Sequence, residues 1–302
     1  MKLLAAGILG LLLSQRAFSH AGDHRIDSKM KVTCGGKKGI LLVHFGTSKE
    51  GARRALESIN THVQEDFEGY EVREAYTSRM VIKKIYSESG QRYLTPKEAL
   101  EGMKRDGFTH VVVQASHVIN GIEADHLNEE MKEFHGSFKD LRTGVPLLST
   151  TDDYMRVADI FYERYKDKNI VLVGHGTPHH AGSGYGMLQY ISHRKGYDNI
   201  FVGTVEGYPG IGEVAKDLVG NNIDKVTLVP LMVVAGVHAQ DDIAGEWKDT
   251  LEDMGIQTEV SMEGMGEIRE IQHLIIDHIE DAISHVKEDM MVKKNNILRE
   301  IS

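Results

Sequence analysis

The feature that most constrains this chain is an internal repeat. Val226-Thr-Leu-Val-Pro-Leu-Met-Val-Val-Ala-Gly-Val-His238 aligns without a gap on Val111-Val-Val-Gln-Ala-Ser-His-Val-Ile-Asn-Gly-Ile-Glu123, placing Gly236 on Gly121 and His238 on Glu123. A shorter echo links Ile40-Leu-Leu-Val-His-Phe-Gly-Thr47 to Ile170-Val-Leu-Val-Gly-His-Gly-Thr177. Each half therefore opens with a strand ending in Gly-Thr and later carries a long apolar run ending in Gly-x-(Glu/His). Looking for self-similarity first protects the fold assignment, and here it points to a duplicated α/β unit.

The apolar runs read as strands buried on both faces, as in parallel sheets. Gly236 is expected to let the backbone turn sharply before His238. Ligands of open α/β sheets bind beyond the carboxyl ends of the strands. If the halves face each other, Glu123, His175 and His238 converge on one cleft. Along the chain, strands are expected near 39–45, 70–75, 109–115, 143–148, 170–173, 199–204, 225–234 and 257–261. Helices fall between them: from Thr47 or Ser48, over 81–87, from the capping box Thr95-Pro96-Lys97-Glu98, then 123–134, 152–166, 185–193, 211–220, 240–254 and 267–286. This alternation predicts two similar doubly wound parallel-sheet halves around a central cleft.

Composition narrows the function. The 302 residues carry 35 basic and 45 acidic side chains, a formal charge of −10. That balance argues against general nucleic-acid or anionic-membrane binding. Cys34 is the only cysteine, so one chain forms no disulfide and no Cys-based zinc or iron–sulfur site. Lys2 precedes the apolar run Leu3–Leu13, with small residues at Ser19 and Ala21. That is the pattern of a secretory signal peptide, and the run is too short for a transmembrane helix. The expected organisation is a signal peptide (1–21), a flexible leader (22–37), an N-terminal half (38–150), a C-terminal half (151–286) and a polar tail (287–302). The mature protein is expected in the periplasm, without stable membrane insertion, as a homo-oligomer.

No phosphate-loop or dinucleotide fingerprint follows either first strand. His175, set between Gly174 and Gly176 after a buried strand, is a candidate with an open imidazole; the alternative is a helix cap or a loop hydrogen bond. Together with His238 and Glu123 it offers two imidazoles and a carboxylate, a set suited to a first-row divalent metal. His117 reads either as a hydrogen-bonded core histidine or as an axial ligand to a bound macrocycle such as haem. His44 is a cleft-wall candidate, and His179 and His180 belong to the cleft mouth. Arg53, Arg54, Arg79, Lys83 and Lys84 either neutralise a polyanionic substrate or are solvated helix faces.

At these residues the chain resembles the anaerobic cobalt chelatases of cobalamin biosynthesis, class II tetrapyrrole chelatases that act on sirohydrochlorin. The matching segments include Leu41-Leu-Val-His-Phe-Gly-Thr-Ser48, Tyr76-Thr-Ser-Arg-Met-Val-Ile-Lys-Lys84 and Val113-Gln-Ala-Ser-His-Val-Ile-Asn-Gly-Ile-Glu123. Gly144-Val-Pro-Leu-Leu-Ser149, Gly174-His-Gly-Thr-Pro-His-His180, Val205-Glu-Gly-Tyr-Pro209 and Leu231-Met-Val-Val-Ala-Gly-Val-His-Ala239 extend the match over about residues 38–280. The resemblance implies insertion of Co2+ into sirohydrochlorin, with the family's metal-site residues at His175, His238 and Glu123. It implies that His175 accepts a proton and binds the metal while His238 and Glu123 hold the ion. Two other readings stay open: Fe2+ insertion for sirohaem, and a non-catalytic exported haem- or metal-binding carrier. A signal peptide departs from the cytoplasmic setting usual for such chelatases.

Overall fold

The computed structural model describes residues 36–284. The expected signal peptide, Cys34, nearly all of the leader and the polar tail lie outside the described residues. The first half runs β1 (Lys37–His44), α1 (Glu50–Asp66), β2 (Glu71–Tyr76), α2 (Arg79–Ser89), α3 (Pro96–Arg105), β3 (Phe108–Ala115), α4 (Ile122–Glu133) and β4 (Asp140–Thr143). After α5 (Thr151–Tyr165) the second half runs β5 (Ile170–Gly176), α6 (Ser183–Arg194), β6 (Ile200–Glu206), α7 (Ile211–Gly220) and β7 (Lys225–Pro230). It closes with a π-helix (Ala239–Trp247), α8 (Lys248–Asp253), β8 (Gln257–Val260) and α9 (Arg269–Ser284).

The strands form two four-stranded parallel sheets, ordered β2-β1-β3-β4 and β6-β5-β7-β8. The sequence repeat is thus a repeat of topology, and the expected two-half α/β architecture is what the structure shows. Backbone hydrogen bonds repeat with it. Ser116 N donates to Val43 O as Leu231 N donates to Val173 O, each at 2.9 Å. Leu147 N bonds His117 O as Met265 N bonds Met232 O, again at 2.9 Å.

Residue alternation along each strand explains the layers, because successive side chains point to opposite faces. Ile40, Leu42 and Val112 of the first sheet, with Ile170, Leu172 and Val229 of the second, face one continuous core. That core contains Val157 and Phe161 of α5, Leu188 of α6 and Leu274 and Ile279 of α9. The intervening Leu41, Val43, Val111 and Val113 pack on α3 and α4. Val171, Val173, Val226 and Leu228 pack on α7 and the helix after His238. Each fully buried aliphatic side chain stabilises by roughly 1.5–3 kcal/mol, so the shared layer welds the halves together.

The helices also cross between halves. α9, last in the chain, packs on β3, β4 and α1 of the first half. His278 Nε2 lies 2.9 Å from Asp153 Oδ1 of α5, and Arg142 Nη1 donates to Ile283 O at 2.6 Å. Gln272 Nε2 donates to Ser58 Oγ at 2.7 Å. Among the described residues no helix is long and apolar enough to cross a membrane.

Three expectations are corrected. The strand read at 143–148 is Asp140–Thr143, because the chain leaves the ladder at Gly144, where the buried Gln114 side chain fills the space. Gln114 Nε2 donates to Val145 O at 2.8 Å in its place. The strand read at 225–234 stops at Pro230. Leu231, Val233 and Val234 are apolar because they pack against the shared core and against Leu56, Tyr76 and Tyr93 of the first half. Apolar character there reports burial between halves, which periodicity alone cannot distinguish from burial within a sheet. Gly236 is not among the glycines with positive φ, and a Cβ there would meet Thr47 Oγ1 at an ordinary 3.5 Å. The glycine that must be glycine is Gly176, with φ +87° and no room beside Glu206 O.

Candidate active site

His175 stands at the carboxyl end of β5 and His238 in the first turn of the helix that follows the β7 loop. The fold brings the two together: their ring centroids are 4.5 Å apart and the planes meet edge to face at 85°. Both are exposed. Gly174 leaves room for the Tyr185 ring under this turn, because a Cβ there would lie 2.2 Å from it. Tyr185 is buried beneath, and its hydroxyl accepts from Gly176 N at 3.3 Å.

The hydrogen bonds select which ring nitrogens remain open. His238 Nδ1 donates to Asp242 Oδ2 at 2.7 Å, one helical turn along, and His175 Nδ1 donates to Gly176 O at 3.2 Å. Each ring in this tautomer carries its free lone pair on Nε2. An outer carboxylate on Nδ1 is the arrangement that orients metal-binding imidazoles and raises their basicity. Asp242 is not among the residues the sequence singles out, because the expected helix starts at 240 and the observed one already includes His238, which makes the two residues an i,i+4 pair. The strand register also sets Glu206, at the end of β6, alongside Gly176.

Glu123 occupies the first-half position equivalent to His238, in the first turn of α4, and is half-buried. Among the described residues no three His, Cys, Asp or Glu side chains are grouped closely enough to hold a metal ion. Glu123 therefore stands apart from the histidine pair here. Its helix is nevertheless tied to the second half. Asp125 Oδ2 lies 3.2 Å from His179 Nε2, whose Nδ1 accepts from Ala181 N at 3.1 Å. His180 is exposed beside it, its ring centroid 3.9 Å from that of His179. A cavity of ≈ 550 Å³ opens next to this junction, lined by Ile119, Asn120, Tyr154, Gly184 and Tyr190. Neither His175 nor His238 lines it.

The other two histidines lie deeper, His44 fully buried and His117 half-buried. His44 Nδ1 lies 2.8 Å from Ser116 Oγ and its Nε2 2.9 Å from Asn60 Oδ1. Asn60 Nδ2 in turn donates to Glu74 Oε2 at 2.8 Å. Burial pushes the His44 imidazole down to about 4 against the opposing pull of Asn60. His117 is held at about 4 as well, by burial first and then by the neighbouring His44. Both of its ring nitrogens are shielded and lack a hydrogen-bond partner.

Comparison with known proteins places the chain in a family. The cobalt chelatase (CbiK) family matches residues 38–284, and the chain belongs to that family. The sirohydrochlorin cobaltochelatase of Salmonella typhimurium is 29% identical over 262 residues, covering 84% of this chain and 99% of the relative. Sirohydrochlorin cobaltochelatase CbiKC of Nitratidesulfovibrio vulgaris is 30% identical over 259 residues, covering 82% of this chain and 91% of the relative. Among solved structures, SirB from Bacillus subtilis with Fe3+ matches at TM-score 0.61 and 16% identity, over 82% of this chain and 96% of SirB. The cobalt complex of the sirohydrochlorin chelatase SirB from Bacillus subtilis subspecies spizizenii gives 0.59, at 16% identity over 82% of this chain and 95% of SirB. At that identity the likeness speaks to the fold.

Proposed function

We propose that this protein inserts Co2+ into sirohydrochlorin. The observation that carries the reading is the His175–His238 pair, both Nδ1 atoms engaged and both Nε2 atoms open, at the sheet ends of a cobalt chelatase. Inserting a dication into a free-base macrocycle expels two ring protons, so the site must hold the metal loosely and accept protons. His238, oriented by Asp242, receives the substrate metal. His175 contacts the same ion, and as the ion passes into the macrocycle the freed Nε2 atoms of His175 and His238 each take one of the two ring protons, a task to which imidazoles are suited near neutral pH. Glu123, across the junction on α4, offsets the positive charge as the macrocycle enters. Fe2+ is the competing substrate metal, because imidazole and carboxylate donors do not separate the two.

The test is anaerobic mixing of residues 22–302 with sirohydrochlorin and Co2+ or Fe2+ while the macrocycle absorption is followed. Insertion well above the uncatalysed rate supports the chelatase, and the faster metal identifies the substrate. Tight tetrapyrrole binding without acceleration makes the protein a carrier.

A second reading, haem binding through His117, is favoured by its two unpartnered ring nitrogens. The imidazole is neutral at physiological pH, the form that ligates iron, but both nitrogens are shielded and the ring must first turn outward. A Soret band in the purified protein, lost in His117→Ala, would support it. Export to the periplasm rests on the charge, apolar run and small residues of positions 1–21. N-terminal sequencing of the protein recovered from the periplasmic fraction checks it, and its elution volume checks the homo-oligomer.

A further inference from the structure

The second half supplies the imidazoles, and the first half carries an arginine that makes no ion pair among the described residues, although its charge acts on Glu74. Arg53 lies in the first turn of α1. Its Nη1 donates to Gln91 Oε1 at 3.2 Å, and its guanidinium rests 5.6 Å from the Tyr93 ring centroid. Tyr93 is stacked on buried Tyr76, with centroids 4.2 Å apart and planes at 11°. The head group is therefore held on a rigid two-ring platform, and its Nε is buried with no hydrogen-bond partner. Arg73, Arg92, Arg142, Arg156 and Arg164 all pair with carboxylates.

The position ties Arg53 to the metal side of the cleft. Val233 and Val234, from the loop that leads to His238, pack against the Leu56–Tyr76–Tyr93 cluster beneath it. Thr47, at the entrance to α1, approaches Gly236 of the same loop at 3.5 Å from where a Cβ would be. With Nη1 taken by Gln91 and Nε shielded, Nη2 is the donor left for a carboxylate, to which it would make a charge-assisted hydrogen bond.

We propose that Arg53 binds a peripheral carboxylate of the tetrapyrrole through Nη2 and so sets the macrocycle over His175 and His238. This rests on the chelatase reading, and on a substrate whose rim bears acetate and propionate arms. Gln91 and Tyr93 act on it indirectly, by fixing the guanidinium plane.

The experiment compares wild type, Arg53→Ala and Arg53→Lys in anaerobic Co2+ insertion, and in equilibrium binding of metal-free sirohydrochlorin. A charged hydrogen-bonded pair is worth about tenfold or more in affinity. Arg53→Ala should raise the KM and Kd for sirohydrochlorin by about that factor, with kcat changed less than about threefold and the KM for Co2+ unchanged. Arg53→Lys should recover only part of the loss, because an ammonium keeps the charge but loses the planar head group that Gln91 and Tyr93 hold in place. Equal sirohydrochlorin binding by wild type and Arg53→Ala overturns the proposal, as does a defect confined to kcat. If wild type binds sirohydrochlorin but inserts no cobalt, the chelatase reading fails while the binding comparison still decides on Arg53. If wild type does not bind it, both fall.

Discussion

The two halves share strand order, register and loop hydrogen bonds, yet they use equivalent positions differently. After the first strand, the first half has His44-Phe45 where the second has Gly174-His175. His44 is fully buried with both nitrogens bonded, and Phe45 takes the outward position at 47% exposure. In the second half the glycine yields its volume to Tyr185, and the histidine takes the outward position with Nε2 open. After the third strand, His117 and Glu123 face Met232 and His238 across the same equivalence. The backbone offers each half the same places for a side chain. Whether a histidine there is structure or chemistry depends on burial and on how many ring nitrogens are already bonded.

The contrast can be broken most forcefully at the outward pair. His175→Ala and His238→Ala should each lower the Co2+ insertion rate by about 10²–10⁴-fold, the usual worth of a positioned acid–base group. Their melting temperatures should stay close to wild type, because exposed substitutions cost little. His44→Ala should do the reverse, costing about 2–4 kcal/mol in urea unfolding, since it leaves a cavity and unpaired Ser116 and Asn60. A His44→Ala variant as stable as wild type would remove the structural half of the comparison.

Asp242→Ala should reduce insertion or metal affinity by about 10–100-fold, the usual cost of losing an outer carboxylate on a metal-binding imidazole. Asp242→Asn, which can still accept from Nδ1, should recover part of it.

The last contrast is in pH dependence. His44 and His117 are both held near 4 in the folded state against an ordinary 6.5. The unfolded chain then binds more protons across that window. Stability is therefore full above about pH 6.5 and falls toward pH 4, by up to about 1.4 kcal/mol per pH unit for each histidine. His117→Met, which installs the second half's residue, should make the fall less steep in urea titrations at pH 6.5 and 4.5. An unchanged slope would show that His117 does not titrate as a buried neutral group.

Much of this was legible from sequence because duplication and alternation are local patterns. The repeat announced two sheets, and the continuous apolar runs Ile40–Val43 and Ile170–Val173 announced strands covered on both faces. Sequence placed His175 and His238 at strand ends, and the fold joined them. What sequence could not resolve was where apolar character serves a sheet and where it serves the junction between halves, as at Leu231–Val234. Nor could it show α9 crossing to the first half, since that partner is set by the shared core. His44 could be read only as a cleft-wall residue, because its partners Asn60 and Ser116 lie far away in the chain. Glu123 was matched to His238 by alignment, but alignment fixes equivalence and leaves distance open.

The most direct test of the central claim is the coordination of Co2+ before any tetrapyrrole is present. One equivalent of Co2+ would be added anaerobically to wild type, His175→Ala, His238→Ala and His117→Met, and its ligand-field and X-ray absorption spectra recorded. The account predicts two imidazole nitrogens on cobalt in wild type and in His117→Met, with one lost in each of the other two variants. A cobalt environment that ignores His175 and His238, or that changes with His117, would contradict it.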